Sequence, residues 1–334
     1  MFLYLRLFQM EMVRRLARGE LAEILGPKLL DTDRLFRTLE LRAHAEESAK
    51  RIDRNSPAWK GLQAYLDGIN EFQDTRPLPL EFEVLGIAPQ PYTAVDTLAV
   101  AGYLAYSFAA ALRTEPALTY VRDQLGPEYL RIFDLEWQPL GVVSPQARSG
   151  RAPTDWQALA RVAQAGQQAL ELAGVPLFEG SNAWAIAGAR TASGKPLLAG
   201  DPHIAFSLPA VWYEAHLQAP GFELYGHFQA LNPFALLGHN QNFGWSLTMF
   251  QNDDMDLVAL KTNPADPRQV WYQGQWTPLT QRTETIQVKN ADPVSLTLQR
   301  SPYGPVINQP FSDSLGKAPI ALWWTFLETE NPIL

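Results

Sequence analysis

Cysteine is absent from the 334 residues, which excludes disulfides, thiolate metal sites and a cysteine nucleophile together. That absence suits a cytoplasm and a bacterial periplasm equally, so it leaves the compartment open. A basic excess is also missing. The formal net charge is -8, which provides no cationic footprint, and no nucleic-acid partner is expected. No apolar run approaches the roughly 18–20 residues that span a bilayer, so no membrane partner is expected and the chain reads as soluble. The opening MFLYLRLFQMEMVRR is interrupted by Arg6 and has neither a basic lead nor a small-residue cleavage site, so it does not read as a signal peptide.

Several catalytic signatures are lacking as well. Gly188 to Pro196 (GARTASGKP) has the wrong glycine spacing for a phosphate loop and places Pro196 where a magnesium-binding hydroxyl belongs. It reads as a hairpin turn. No serine sits in a GxSxG elbow. His44, His203, His216, His227 and His239 have no HExxH or comparable spacing, which argues against a catalytic zinc.

What is present is a large apolar share, 46% of residues against 19% charged, enough for a sizeable core in one large domain or two ordinary ones. Up to about residue 138 the texture is helical. Val13, Leu16, Leu21, Ile24 and Leu25 form one stripe after Met10. Ser56-Pro57 is a helix start, with Leu62, Leu66, Ile69 and Phe72 on one face. Thr93 and Asp96 predict a capping box that opens the apolar run from Leu98 to Phe108, and another helix is predicted from Pro116 to Leu125. Residues 139–180 read as a linker or spacer region: a Pro/Gly/Ser/Arg-rich break, then a candidate helix from Asp155 to Leu172. From residue 181 to 334, short apolar runs alternate with Gly, Pro and Asn turns, which is a sheet reading. Helices first and strands afterwards give an α+β class.

As residues alone, Gly180-Ser181-Asn182-Ala183-Trp184 is a small-residue junction entering a strand, and a tight turn accounts for it. Asp201-Pro202-His203 is a polar turn between apolar runs. Asp253, Asp254 and Asp256 repel one another unless they are solvated or hold a cation. Both readings stay open on the residues.

In this order and spacing, however, the segments resemble the penicillin acylase family, which includes penicillin, cephalosporin and acyl-homoserine-lactone acylases. The resemblance runs through Arg6 to Arg15 (RLFQMEMVRR), Gly180 to Ile186 (GSNAWAI), Ser193 to Pro196, Asp201 to His203, Gly238 to Asn240 and Asp253 to Asp256. It implies an N-terminal-nucleophile hydrolase with a four-layer αββα core and a helical N-terminal block. A precursor would cut itself between Gly180 and Ser181, and Ser181 would then begin a second chain. Its hydroxyl would be the nucleophile and its freed α-amine the base. An α-amine titrates near pH 7.7–8.0, close to the working range of a general base.

By the same resemblance His203 either orients that amine or tunes local polarity, against the plain alternative of a buried, satisfied histidine. Met249 matches a residue whose main-chain N–H donates to the oxyanion. Glu115, Asp253, Asp256 and the Met255 backbone match a structural calcium site, and no organic cofactor is implied. Ile204, Leu237, Leu247, Ala105 and Ala109 align with the acyl pocket, where aliphatic walls suit a fatty-acyl amide better than a phenylacetyl group. The expected partners are a small N-acyl amide substrate and the chain's own cleaved second piece. The expected compartment is the periplasm of a Gram-negative bacterium.

Both ends fall short of the family pattern, and the reading expects truncation there, with poor folding in isolation and little turnover. The alternative is therefore a non-catalytic, acyl-binding fragment of the same family. A hydrolytic metal centre on the acidic cluster ranks below both, since no histidine neighbours it.

Overall fold

The computed structural model describes residues 2–109, 111–126, 128–130, 154–172, 180–204, 206, 208–248, 254–312 and 318–328. It begins with α1 (Phe2–Arg18), which carries the start of the predicted stripe, with Leu7, Met10, Val13 and Leu16 buried. The stripe does not continue as one helix. Gly19 stands at φ +67°, where a Cβ would also crowd the main chain of Asp33, and a separate α2 (Ala22–Leu25) follows. The new axis leaves Leu25 exposed.

A short turn at Pro27–Leu29 leads into α3 (Leu30–Thr38) and α4 (Leu41–Arg51). The Asp33 carboxylate accepts the free amides of Leu21 and Ala22 at 2.8 and 2.7 Å, so it ties the start of α2 down. Burial pushes its pKa up to about 7, against the pull of those two amides.

In α5 (Pro57–Thr75) the Ser56 hydroxyl accepts the Trp59 amide at 3.1 Å, and Leu62, Leu66 and Ile69 are buried as the spacing requires. After α6 (Leu80–Leu85), the predicted capping box opens α7 (Ala94–Phe108), with the Asp96 carboxylate accepting the Thr93 amide at 2.8 Å. The helix predicted to begin at Pro116 begins earlier. In α8 (Ala111–Tyr120) Pro116 lies inside the helix, and a wider turn at Val121–Leu125 follows. A proline there forfeits its own N–H and crowds the carbonyl four residues back, and α8 packs against α9 (Trp156–Leu172).

The remaining described elements are strands and short helical turns. A hairpin is made of β1 (Gly180–Ile186) and β2 (Leu197–His203), and an antiparallel sheet of β3 (Tyr213–Ala219), β4 (Phe222–Phe228), β5 (Leu237–His239) and β6 (Gly244–Trp245), in that order. Then come β7 (Met255–Ala259), β8 (Thr262–Asn263), β9 (Asp266–Tyr272), β10 (Gln275–Pro278), β11 (Thr280–Ile286), β12 (Val294–Ser301) and β13 (Gly304–Pro305). The series ends with a turn at Gln309–Phe311, β14 (Ile320–Trp324), which pairs with β7, and α10 (Thr325–Glu328). Helices followed by antiparallel strands make the fold α+β.

The main core crosses from helices to strands. Leu35, Phe36, Leu98 and Tyr103 meet Val162 and Ala169 of α9 and Met255, Ile307, Leu322 and Trp324. A second cluster joins Leu7 and Met10 to Leu66, Ile69 and Phe82, and to Ala230 and Leu231 after β4. Polar ties cross the same way. Arg37 reaches Glu284 at 3.1 Å, a residue 247 positions away, and the Lys289 ammonium donates to the Leu85 carbonyl at 2.9 Å. Glu40 pairs with both Arg282 and Arg300.

Candidate active site

Strand alternation arranges the Gly180–Ser181 junction. In the β1–β2 ladder Gly180 pairs with His203, Ser181 with Pro202, Asn182 with Asp201 and Ala183 with Gly200. Successive side chains point to opposite faces, so Ser181 and Ala183 share one face, and Asn182, Asp201 and His203 share the other. The hydrogen bonds agree: His203 Nε2 lies 3.2 Å from Asn182 Nδ2 and 3.0 Å from Asp201 Oδ2. With its proton on Nε2 the ring donates to Asp201; without it the ring accepts from Asn182.

His203 therefore sits across from Gly180, on the strand face opposite that of the Ser181 side chain. Its Nδ1 is 3.6 Å from where a Cβ on Gly180 would stand. Gly180 itself is at φ +154°, a backbone conformation that L side chains rarely adopt. Ser181 is half-buried, while Asn182, Asp201 and His203 are exposed.

The hairpin abuts the neighbouring sheet along β2. A Cβ at Gly200 would overlap the Ser246 hydroxyl and would stand 3.5 Å from Leu237 Cδ2. Leu237 thus reaches the face of the hairpin that carries Ser181. The other residues aligned with the acyl pocket are not gathered there. Ala109 lies within the main core, Ala105 and Ile204 pack against it, and Leu247 is 50% exposed just beyond β6. A cavity of about 570 Å³ lies elsewhere, between α3 and α9, lined by Lys28, Asp31, Arg161 and Gln168 among others.

One tie joins the acidic segment to the helical block. Glu115 of α8 reaches β7, where its Oε2 accepts the Leu257 amide at 3.1 Å. On that strand Met255 is buried and Asp256 exposed. Asp254 holds the strand's entry, its carbonyl accepting the Thr325 amide at 3.0 Å. Carboxylate and carbonyl oxygens such as those of Glu115, Asp256 and Met255 are the hard donors that calcium takes. Among the described residues no group of three or more acidic or histidine side chains is already arranged around one point. Asp253 and Met249 lie outside the described residues, as do positions 139–153.

Two residues lie inside the sequence motifs without having been given a role there. Asn182 and Asp201 clasp the His203 ring, a role that follows from their cross-strand position once the hairpin register is known.

Residues 4–334 match the family described as penicillin amidase. Acyl-homoserine lactone acylase QuiP of Pseudomonas aeruginosa is 30% identical over 91% of this chain and 36% of its own length. Penicillin acylase 2 proenzyme of Pseudomonas sp. strain SE83 is 31% identical over 90% of this chain and 39% of its own. Penicillin G acylase of Escherichia coli is 25% identical, over 90% and 42%. The chain thus spans about two fifths of the length of these curated relatives. A solved structure, the thermostable penicillin G acylase from Alcaligenes faecalis, is similar over 43% of this chain and 26% of that one, with 27% identity and a TM-score of 0.38.

Proposed function

The chain belongs to the penicillin amidase family, and on that premise we propose that it supplies the Ser181 nucleophile of an N-acyl amide hydrolase. The observation that carries this reading is the junction itself: Gly180 at φ +154° immediately before Ser181, with His203 across the ladder from it. In the first step Ser181 Oγ attacks the Gly180 carbonyl carbon, the Gly180–Ser181 C–N bond breaks, and the hydroxyl proton passes to the departing nitrogen. Water then hydrolyses the ester, leaving a Gly180 carboxylate and a free α-amine on Ser181.

In turnover that amine takes the proton from Oγ as Oγ attacks the substrate's amide carbonyl, then delivers it to the leaving amine. The acyl-ester is released by a water that the same amine activates. His203, facing the Gly180 side of the junction, orients the new amine through its Nδ1 edge while Asn182 and Asp201 hold the ring. The Met249 main-chain N–H stabilises the oxyanion. Losing one such donor typically costs roughly 10²–10³ in rate.

The substrate in this reading is an amide with an aliphatic acyl group. Leu237 supplies the apolar wall on the face of the hairpin that carries Ser181, and Ile204, Leu247, Ala105 and Ala109 lie apart from it. The names of the relatives suggest two classes, an N-acyl-homoserine lactone or the side-chain amide of a β-lactam. Glu115, Asp253, Asp256 and the Met255 carbonyl would hold a calcium ion, whose charge would bridge α8 and β7 across the two chains. The four-layer αββα arrangement, the two-chain product and a periplasmic home belong to the same proposal.

Intact-mass analysis tests it: two chains parting between Gly180 and Ser181 are expected, and Ser181→Ala should stay whole. A wild-type chain that is never cut, or a Ser181→Ala chain that is, would sink the reading. A marked preference for aromatic over aliphatic acyl amides would remove the pocket assignment alone.

A further inference from the structure

We propose that α9 is not lost on maturation but is the clasp that holds the two cleaved chains together, docking on the Gln309–Phe311 turn of the second chain. The proposal rests on the cut between Gly180 and Ser181 described above. Among the residues between the helical block and that cut, α9 is built into the centre of the molecule. Ala158, Leu159, Val162, Ala165, Ala169 and Leu170 are each at most 3% exposed and all belong to the main core. Their three- and four-residue spacing forms one continuous stripe.

One side of α9 is held by what would become the first chain. It packs on α3 and α8, and the Arg161 guanidinium lies 3.1 Å from both oxygens of Asp31. The Thr32 hydroxyl bonds to Gln168 at 3.1 Å. Gly166 faces Tyr106 so closely that a Cβ there would overlap the phenol oxygen.

The other side is held by what would become the second chain. Arg161 Nη1 donates to the Phe311 carbonyl at 2.8 Å, and Ser312 bonds to the Asp155 carboxylate. The same carboxylate caps the helix at the Ala158 amide, 3.1 Å away. Arg161 and Asp155 thus each bind a residue beyond Ser181 while anchoring α9 itself. A segment destined for release needs a surface it can leave without opening a cavity. This stripe has none, because its departure would bare Leu35, Tyr106 and Phe311 together.

The test is the composition of the mature, full-length protein. Under denaturing conditions the N-terminal chain should carry a mass that includes Trp156–Leu172, and under native conditions it should co-elute with the chain beginning at Ser181. A free peptide containing those residues, or an N-terminal chain ending before Trp156, overturns the proposal. Arg161→Met should speed separation of the chains roughly tenfold or more, the usual effect of losing a charge-assisted hydrogen bond. An unchanged separation rate argues against the clasp. If no cut occurs at all, the functional reading fails separately, and amide hydrogen exchange on the whole chain still decides. Protection across Trp156–Leu172 as strong as that of α7 supports the core role, and exchange within seconds refutes it.

Discussion

Gly180→Ala isolates the conformational part of the proposed cut. The added Cβ has room, since its nearest neighbour, His203 Nδ1, is 3.6 Å away, an ordinary van der Waals distance. Steric overlap therefore contributes nothing. The cost lies in the backbone: holding φ at +154° is nearly free for glycine but costs an L side chain about 1–3 kcal/mol. An alanine relaxes toward ordinary extended geometry and turns the carbonyl at position 180 relative to Ser181 Oγ. If the attack needs the glycine geometry, that energy appears in the barrier, and the cut slows roughly 5- to 150-fold. The assay is the time course of chain separation by intact mass after rapid dilution from denaturant. Gly194→Ala in the same hairpin is the control. It too has positive φ, +69°, and open space, so it should cost about 1 kcal/mol of stability with the cut unchanged. A Gly180→Ala protein that matures at the wild-type rate would refute the link between this conformation and the cut.

Three further outcomes follow from the packing and charges. Asp33 binds its proton more tightly folded than unfolded, with a pKa of about 7 against an unfolded value of about 3.9. Its contribution to stability is therefore whole below about pH 4 and lost as pH rises to about 7. Urea midpoints measured across that window should fall with pH, and Asp33→Asn should flatten that part of the slope. Phe36→Ala should lower the unfolding free energy by roughly 3–5 kcal/mol, since Phe36 is 1% exposed and meets Tyr103 and Tyr106 at ring-centroid distances of 5.8 and 5.4 Å. A loss below 1 kcal/mol in urea titrations would mean that this core is not the folding centre. Calcium should raise the thermal midpoint of the protein, and Glu115→Gln should weaken that response. Identical melting with calcium and with a chelator would discount the site.

Local chemistry was legible in the sequence wherever a single helix explains itself. Ser56 before Pro57 and Thr93 before Asp96 announce their caps, and the spacing of Leu62, Leu66 and Ile69 gives the buried face of α5. Periodicity names a face but not its partner, which is why a helix at Trp156–Leu172 could be expected without its place in the main core. Pro116 misled for a related reason: proline favours helix starts, whereas here it lies inside α8, which packs against α9. At the site, motif order supplied Gly180, Ser181 and His203. Ladder register then decided which of them face one another, because a shift of one residue exchanges the two faces of a strand. The acyl-pocket residues had only alignment behind them, and of these Leu237 is the one the hairpin contact brings to the face of Ser181.

The long-range ties between helices and late strands also govern how the protein emerges from the ribosome. Arg37, Glu40 and Leu85 wait for Glu284, Arg282, Arg300 and Lys289, which are synthesised about 200 or more positions later. At a typical 5–20 residues per second that gap is roughly 10–50 s. Through that interval the N-terminal helices have apolar faces with no permanent cover, exposed to chaperones and to one another. Completion of β14, not arrival of Ser181 outside the ribosome, then sets the earliest moment at which the main core closes. A slowly translated stretch anywhere before Trp324 would lengthen the vulnerable interval, because Ile307, Leu322 and Trp324 complete the main core.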